Sequence, residues 1–287
     1  MRLKIKNCSL LCNQGTAPYN EDAAGITPFG VWVLDGATGL NGKNIVSDES
    51  DARWYSQWWN NFLHENIYRS DSLKEIMLDG IRSIKEEYKE LVEGKDVKKL
   101  DLPSSSIAIV KFRDDMIEYF LLGDCSFFYN DGERKIIKDR SICHLDDKVY
   151  DEMIRIPNLD KLSFNEIKAR VMNTIIDNRM KKNTKDGYWI LDFSEEAIEN
   201  SIHGYIQVED EMKIMLASDG FTCASDRYGI LKEDELIYIA EKMGIEYIFN
   251  QVREFEEDDY KAIKMPRFKV MDDSTAVYVE LYNKKEK

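Results

Sequence analysis

Between Asn20 and Gly39 the chain reads NEDAAGITPFGVWVLDGATG, which sets Glu21 beside Asp22 and places Asp35 at the end of the apolar run Val31-Trp32-Val33-Leu34. A strand of β-prone residues closing on Asp-Gly delivers a carboxylate at its tip and then turns. Carboxylates so close to a core need a cation, hydrogen bonds or water, and a divalent metal satisfies several at once. The same residues also fit a solvated hairpin turn, because Asp-Gly is a common turn dipeptide. The pattern recurs along the chain: Asp219 follows IMLAS, Asp272 precedes STAVYVEL, and Asp124 follows YFLLG. A sheet whose strand ends converge at one edge would gather these oxygens. With no sulfur or imidazole among the candidates, the donor set suits Mg²⁺ or Mn²⁺ rather than zinc.

These acids require strands to carry them and helices to cover the strands. Residues 3 to 12 read as a first strand, and Lys213 to Ala217 and Thr275 to Leu281 as later ones. Ser105 to Phe112, Met116 to Leu122 and Phe127 to Asn130 read as an antiparallel meander. Asp48-Glu49-Ser50-Asp51 opens a helix whose Trp54, Tyr55, Trp58, Trp59 and Phe62 share a face, best explained by packing on a sheet. A second amphipathic helix runs from about Ser72 to Leu91, and others cover Lys232 to Met243 and Ile245 to Glu257. From Lys138 to Ser201 the pattern is helical and polar, with Phe164, Ile167, Val171 and Ile175 as its periodic face, and reads as an insertion over one end of the sheet. Strand groups separated by helices predict an α+β fold rather than alternating βαβ units.

The 287 residues, 43% hydrophobic and with five prolines and no linker-like tract, predict a single domain spanning 1-287. A net charge of -14, spread along the chain, argues against nucleic acid as a partner. The opening MRLKIKNCSLLCNQG lacks a signal-peptide apolar region, and no run of about 18 apolar residues offers a membrane span, so a cytoplasmic protein is expected. Five cysteines without a CxxC pair, and the scattered His64, His144 and His203, provide neither a disulfide framework nor a zinc motif.

Taken in order, Asn20-Glu21-Asp22 with Val31 to Gly39, Ser104-Ser105-Ser106, Leu122-Gly123-Asp124, Leu216-Ala217-Ser218-Asp219-Gly220-Phe221 and Asp272-Asp273-Ser274-Thr275 resemble the ordered blocks of the type 2C, metal-dependent serine/threonine protein phosphatases, bacterial members included. The resemblance implies a β-sandwich of two antiparallel sheets flanked by helix pairs, with a flap-like insertion at about 138-201. It implies two Mn²⁺ or Mg²⁺ ions and a weaker third. Asp35 would bridge the two ions, Glu21 and the Gly36 carbonyl would complete one, Asp219 and Asp272 would hold the other, and Asp124 with Asp219 would match the third. Asp22 would accept a hydrogen bond from the attacking water, and no covalent phosphoenzyme is needed. The implied substrate is a phosphorylated protein supplied by a cognate serine/threonine kinase, handled by a monomer.

Five positions depart from that pattern. Ala17 stands where many members carry a phosphate-gripping arginine, and Ala37 where they carry a histidine that is a candidate general acid. Cys125-Ser126 replaces a common Ser-Arg, and Cys223 occupies a position that often helps the third metal. A missing general acid typically costs about 10²- to 10⁴-fold, and Thr38 is the group that could be borrowed instead. The departures also motivate a second reading, a pseudophosphatase or regulatory phospho-binding module with metals but little turnover. Hydrolysis of a small-molecule phosphate is a third.

Overall fold

The computed structural model describes residues 2–284. In chain order the strands are β1 (Leu3–Asn13), β2 (Ala23–Thr27), β3 (Gly30–Gly36), β4 (Ser105–Phe112), β5 (Met116–Leu122), β6 (Ser126–Asn130), β7 (Arg134–Ile137), β8 (Ile202–Gln207), β9 (Glu211–Ala217) and β10 (Ser274–Asn283). The helices are α1 (Asp51–Asn66), α2 (Leu73–Leu91), α3 (Cys143–Ile154), α4 (Phe164–Arg179), α5 (Glu195–Glu199), α6 (Asp219–Asp226), α7 (Leu236–Met243) and α8 (Ile245–Asp258). One sheet has the order β1-β10-β9-β6-β7 and the other β2-β3-β4-β5-β8, with antiparallel pairing throughout both. This is the α+β sandwich that the sequence predicts.

The run VWVL shows why the layers form. Successive side chains on a strand point to opposite faces. Val31 and Val33 therefore enter the core between the sheets, beside Ala108, Val110, Leu216 and Val277. Trp32 and Leu34 enter a second core against Tyr55, Trp59 and Leu63 of α1 and Met77, Ile81 and Ile84 of α2. Both faces are covered, so the strand is apolar throughout, and each such side chain contributes about 1.5–3 kcal/mol on burial. On the other outer face Phe128, Met215 and Tyr278 pack against α6, α7 and α8. Helices α3 and α4 build a small core of their own around Val149, Met153, Ile167 and Val171.

Local signals fix where helices begin. Ser50 accepts from Arg53 N at the start of α1, and Ser72 with Glu75 forms a capping box on α2. Among the described residues no helix is long and apolar enough to cross a membrane.

The structure corrects the sequence reading in three places. The expected meander breaks after β5: Gly123, at φ +81°, turns the chain across to the other sheet, where β6 pairs with β9 instead of β5. Strand β8 lies between the helical stretch ending at Ser201 and the strand beginning at Lys213, where the sequence pattern marks no element. It is an edge strand with alternate residues exposed, so IHGYIQ carries little apolar signal. Finally, Ser218-Asp219-Gly220 looks like a turn but begins α6, whose Gly220 is required because a Cβ there would meet the Asp273 carbonyl oxygen at 2.0 Å.

Candidate metal centre

Strand register alone brings the acids together. Ala217 at the end of β9 pairs with Ala276 near the start of β10 and with Ser126 at the start of β6. In the other sheet Asp35 pairs with Ser106, and Leu122 pairs with Ile107. The crossing at 123–125 joins the sheets at this same end. Asp35, Asp124, Asp219 and Asp272 all line one cleft of about 530 Å³ there, with Gly36 and Thr38 on its wall.

The approach to the cleft is tightly organised. Asp273 accepts from Gly15 N and from Glu21 N, both at 2.8 Å, and so clamps the N-terminal segment to the start of β10. Ser56 donates to the Glu21 carbonyl at 2.6 Å. One oxygen of the Glu21 carboxylate accepts from Thr38 and the other from Ser50. Gly36 passes so close that a Cβ would meet the Glu21 carbonyl oxygen at 2.4 Å, so the backbone there admits no side chain.

The acids themselves are short of partners. Asp22 is 2% exposed and its Oδ2 makes no hydrogen bond. Burial raises its pKa well above the ordinary carboxylate value, and the charges of Asp273 and Asp272 add to this, against the nearby Thr275 hydroxyl and the charge of Lys269. Burial raises Asp35 in the same way, helped by Asp22, Asp219, Asp124 and Asp272. Asp219 is exposed as a residue, yet loss of water around its carboxyl within the cleft, with Asp272 and Asp124, pushes it up to about 7, eased by a hydrogen bond with Asp35. Asp124 is raised by burial although Ser106 donates to it at 2.5 Å. Carboxylates that raise one another's pKa are close together.

Three cations reach the cleft that the sequence reading did not single out: Lys168 and Arg179 from α4, and Lys269. Arg179 donates to the Thr38 carbonyl at 3.2 Å and Lys168 to the Phe268 carbonyl at 3.1 Å. Lys269 Nζ lies 2.6 Å from Asp272 Oδ1 and 4.0 Å from Glu21 Oε2. Asp146 of α3 also lines the cleft, its pKa raised to about 8 by burial, Asp124 and Asp219. No motif marks these residues; a cation three positions before Asp272 was the available hint. Cys223 donates to the Gly220 carbonyl at 3.2 Å, and Cys125 is buried.

No protein-family model matches the chain, and no curated protein matches it. Solved structures do. The catalytic domain of the serine/threonine protein phosphatase PstP, in complex with two manganese ions, aligns over 98% of this chain and 99% of its own at 14% identity and a TM-score of 0.56. The fold is that of the PPM serine/threonine phosphatases. PppA of Pseudomonas aeruginosa aligns with the same PPM fold over 97% of each chain at 15% identity and a TM-score of 0.57. The PPM phosphatase MsPP of Mycobacterium smegmatis, in complex with cacodylate, aligns over 96% of this chain and 98% of its own at 13% identity and a TM-score of 0.53.

The residues at this end of the PPM fold suit divalent cations in chemistry: the donors are oxygens, their charges are uncompensated, and a buried Asp22 oxygen is free to accept. As placed, they do not form a closed cage, since among the described residues no group of three acids, histidines or cysteines converges for a metal. Asp272 is turned to Lys269, and Glu21 to Thr38 and Ser50.

Proposed function

We propose that the chain is a metal-dependent phosphatase that hydrolyses phosphoserine and phosphothreonine in proteins. The observation that carries this is the pooling of Asp35, Asp124 and Asp219 in the cleft of a PPM fold, with Asp22 buried behind them, all with pKa values raised by desolvation and by neighbouring acids. Glu21, Asp35 and the Gly36 carbonyl would hold one Mn²⁺ or Mg²⁺, Asp35, Asp219 and Asp272 a second, and Asp124 with Asp219 a third. Such ions supply an acidified water and offset charge on phosphoryl oxygens.

The remaining work falls to the chain. The free oxygen of Asp22 accepts a hydrogen bond from the attacking water and holds its orientation. Lys168, Arg179 and Lys269 attract the phosphate dianion to an otherwise acidic floor. Thr38, on the cleft wall, is the hydroxyl that could serve the leaving group once it releases the Glu21 carboxylate, to which it donates. We take residues 1–287 as one phosphatase-like domain in which 138–201 acts as a flap. Apolar side chains of that segment, Leu145, Val149 and Phe164, form one wall of the cleft and exclude water beside the acidic floor. Its cations and apolar wall suit a phosphorylated peptide better than a compact metabolite. A phosphoprotein substrate in turn implies a serine/threonine kinase as the opposing enzyme.

The test is hydrolysis of a generic aryl phosphate. Activity should require Mn²⁺ and fall by at least about 10²- to 10³-fold in Asp35→Asn. Activity that survives this change, or that ignores a chelator, overturns the proposal. The alternative of a phospho-binding module is favoured by Ala17 and Ala37. Calorimetric metal binding beside zero phosphate release would select it.

A further inference from the structure

Among the carboxylates of the cleft the chain places an ammonium group of its own. Lys269 spans Asp272, at 2.6 Å, and Glu21, at 4.0 Å, acids that lie on opposite sides of the metal arrangement proposed above. The loop that presents it is fastened along its length. Asp259 accepts from the backbone of Ile263, Lys264 and Met265 at 3.0 Å each and from Arg267 at 2.8 Å. Arg267 Nε donates to the Val270 carbonyl at 2.8 Å, and Arg253 to the Asp272 carbonyl at 2.7 Å. From the N-terminal side, Thr16 N donates to the Met271 carbonyl at 2.9 Å. The Lys269 side chain is 19% exposed, so solvent screens its pairing with Asp272 only weakly.

Asp272 Oδ1 accepts from this ammonium, so an ion that coordinates either oxygen of Asp272 would share the carboxylate with Lys269, and two cations held on one carboxylate repel each other. We propose that Lys269 is a tethered counter-cation that competes with divalent metal for Asp272 and Glu21, so that metal uptake displaces its ammonium into the cleft. The inference rests on the metal reading above and adds a residue that sets metal affinity.

The test is titration of Mn²⁺ alone into the native chain and three variants, followed by calorimetry. Lys269→Met should tighten Mn²⁺ binding on the order of 10-fold. Lys269→Arg, which keeps the charge, should bind close to the native level, as should Lys89→Met, which removes an exposed charge on α2. Equal or weaker binding by Lys269→Met overturns the competition, as does tightening by Lys269→Arg to the level of Lys269→Met. If native chain and Lys269→Met both take up no Mn²⁺, the metal reading fails as well, which separates the two claims. A second measurement needs no variant. Amine-reactive labelling of Lys269, read by mass spectrometry, should rise when Mn²⁺ is added while labelling of Lys89 stays constant; labelling of Lys269 that is unchanged or falls overturns the proposal.

Discussion

The molecule buries carboxylates in two quite different ways. Asp259, beyond α8, is buried with every need met: backbone N–H groups of Ile263, Lys264 and Met265 and the guanidinium of Arg267 surround it. Burial alone would raise its pKa, yet these donors outweigh burial and hold it below the ordinary value. Asp22, buried, and Asp35, half-buried, lie among other acids and sit well above that value. One region is an acid that the fold has completed. The other is a set of acids the fold gathers without completing, and such a set is costly unless something outside the chain completes it.

The same substitution should therefore act in opposite directions in the two regions. Asp259→Asn leaves Arg267 buried without its charge partner, and breaking a buried pair typically costs about 3–5 kcal/mol. Urea unfolding of the metal-free chain measures this directly. A loss below about 1 kcal/mol would remove the contrast between the regions, because the donors around Asp259 would then be incidental.

At Asp35 the expectation reverses. Asparagine there removes a charge repelled by Asp22, Asp219, Asp124 and Asp272, so the metal-free chain should gain on the order of 1 kcal/mol while activity is lost. Destabilisation of the metal-free protein by Asp35→Asn would mean that the cleft acids are as well satisfied as Asp259.

Proton linkage sharpens the contrast without any mutation. Asp219 has an ordinary value of 3.8 and is pushed up to about 7 in the folded chain, by loss of water around its carboxyl in the cleft and then by Asp272 and Asp124, although the residue as a whole stays exposed. Between those values the folded state binds more protons, so metal-free stability falls as pH rises through the window. Melting at pH 5 and pH 7 should show the lower Tm at pH 7, and saturating Mn²⁺ should reduce the difference by binding the ionised form. A metal-free Tm that instead rises across this range would contradict the crowding of Asp219.

The difference between the regions was only half visible in the amino-acid order. Asp35, Asp124, Asp219 and Asp272 declare themselves because each adjoins a strand whose apolar run is long enough to recognise, and their convergence follows from antiparallel register. The α+β class was legible for the same reason, whereas the two-sheet sandwich followed from the family resemblance. The Asp259–Arg267 knot was not, since its meaning lies in backbone N–H groups whose direction no residue type reveals. Lys269 and Arg179 stayed hidden because a cation on a loop or helix looks like ordinary surface until tertiary packing aims it into a cleft. Edge strand β8 and the short helix α6 escaped because few of their residues face a core in a periodic way.

The smallest effect should arise where scaffold and cleft meet. Ser50 Oγ caps α1 by accepting from Arg53 N at 3.3 Å and also donates to a Glu21 oxygen. Ser72 caps α2 by the same means, but its partner is Glu75 on the protein surface. Replacing Ser50 with alanine removes a helix cap and should cost about 1 kcal/mol in urea unfolding. Ser72→Ala should lose a comparable amount. The two should part in metal binding, because only Ser50→Ala releases an oxygen of Glu21 from its hydroxyl partner. Calorimetric Mn²⁺ affinity should therefore change in Ser50→Ala and stay at the native value in Ser72→Ala. Equal behaviour of the two variants would mean that the Ser50 contact serves α1 alone and that Glu21 is positioned by the backbone clamp from Asp273.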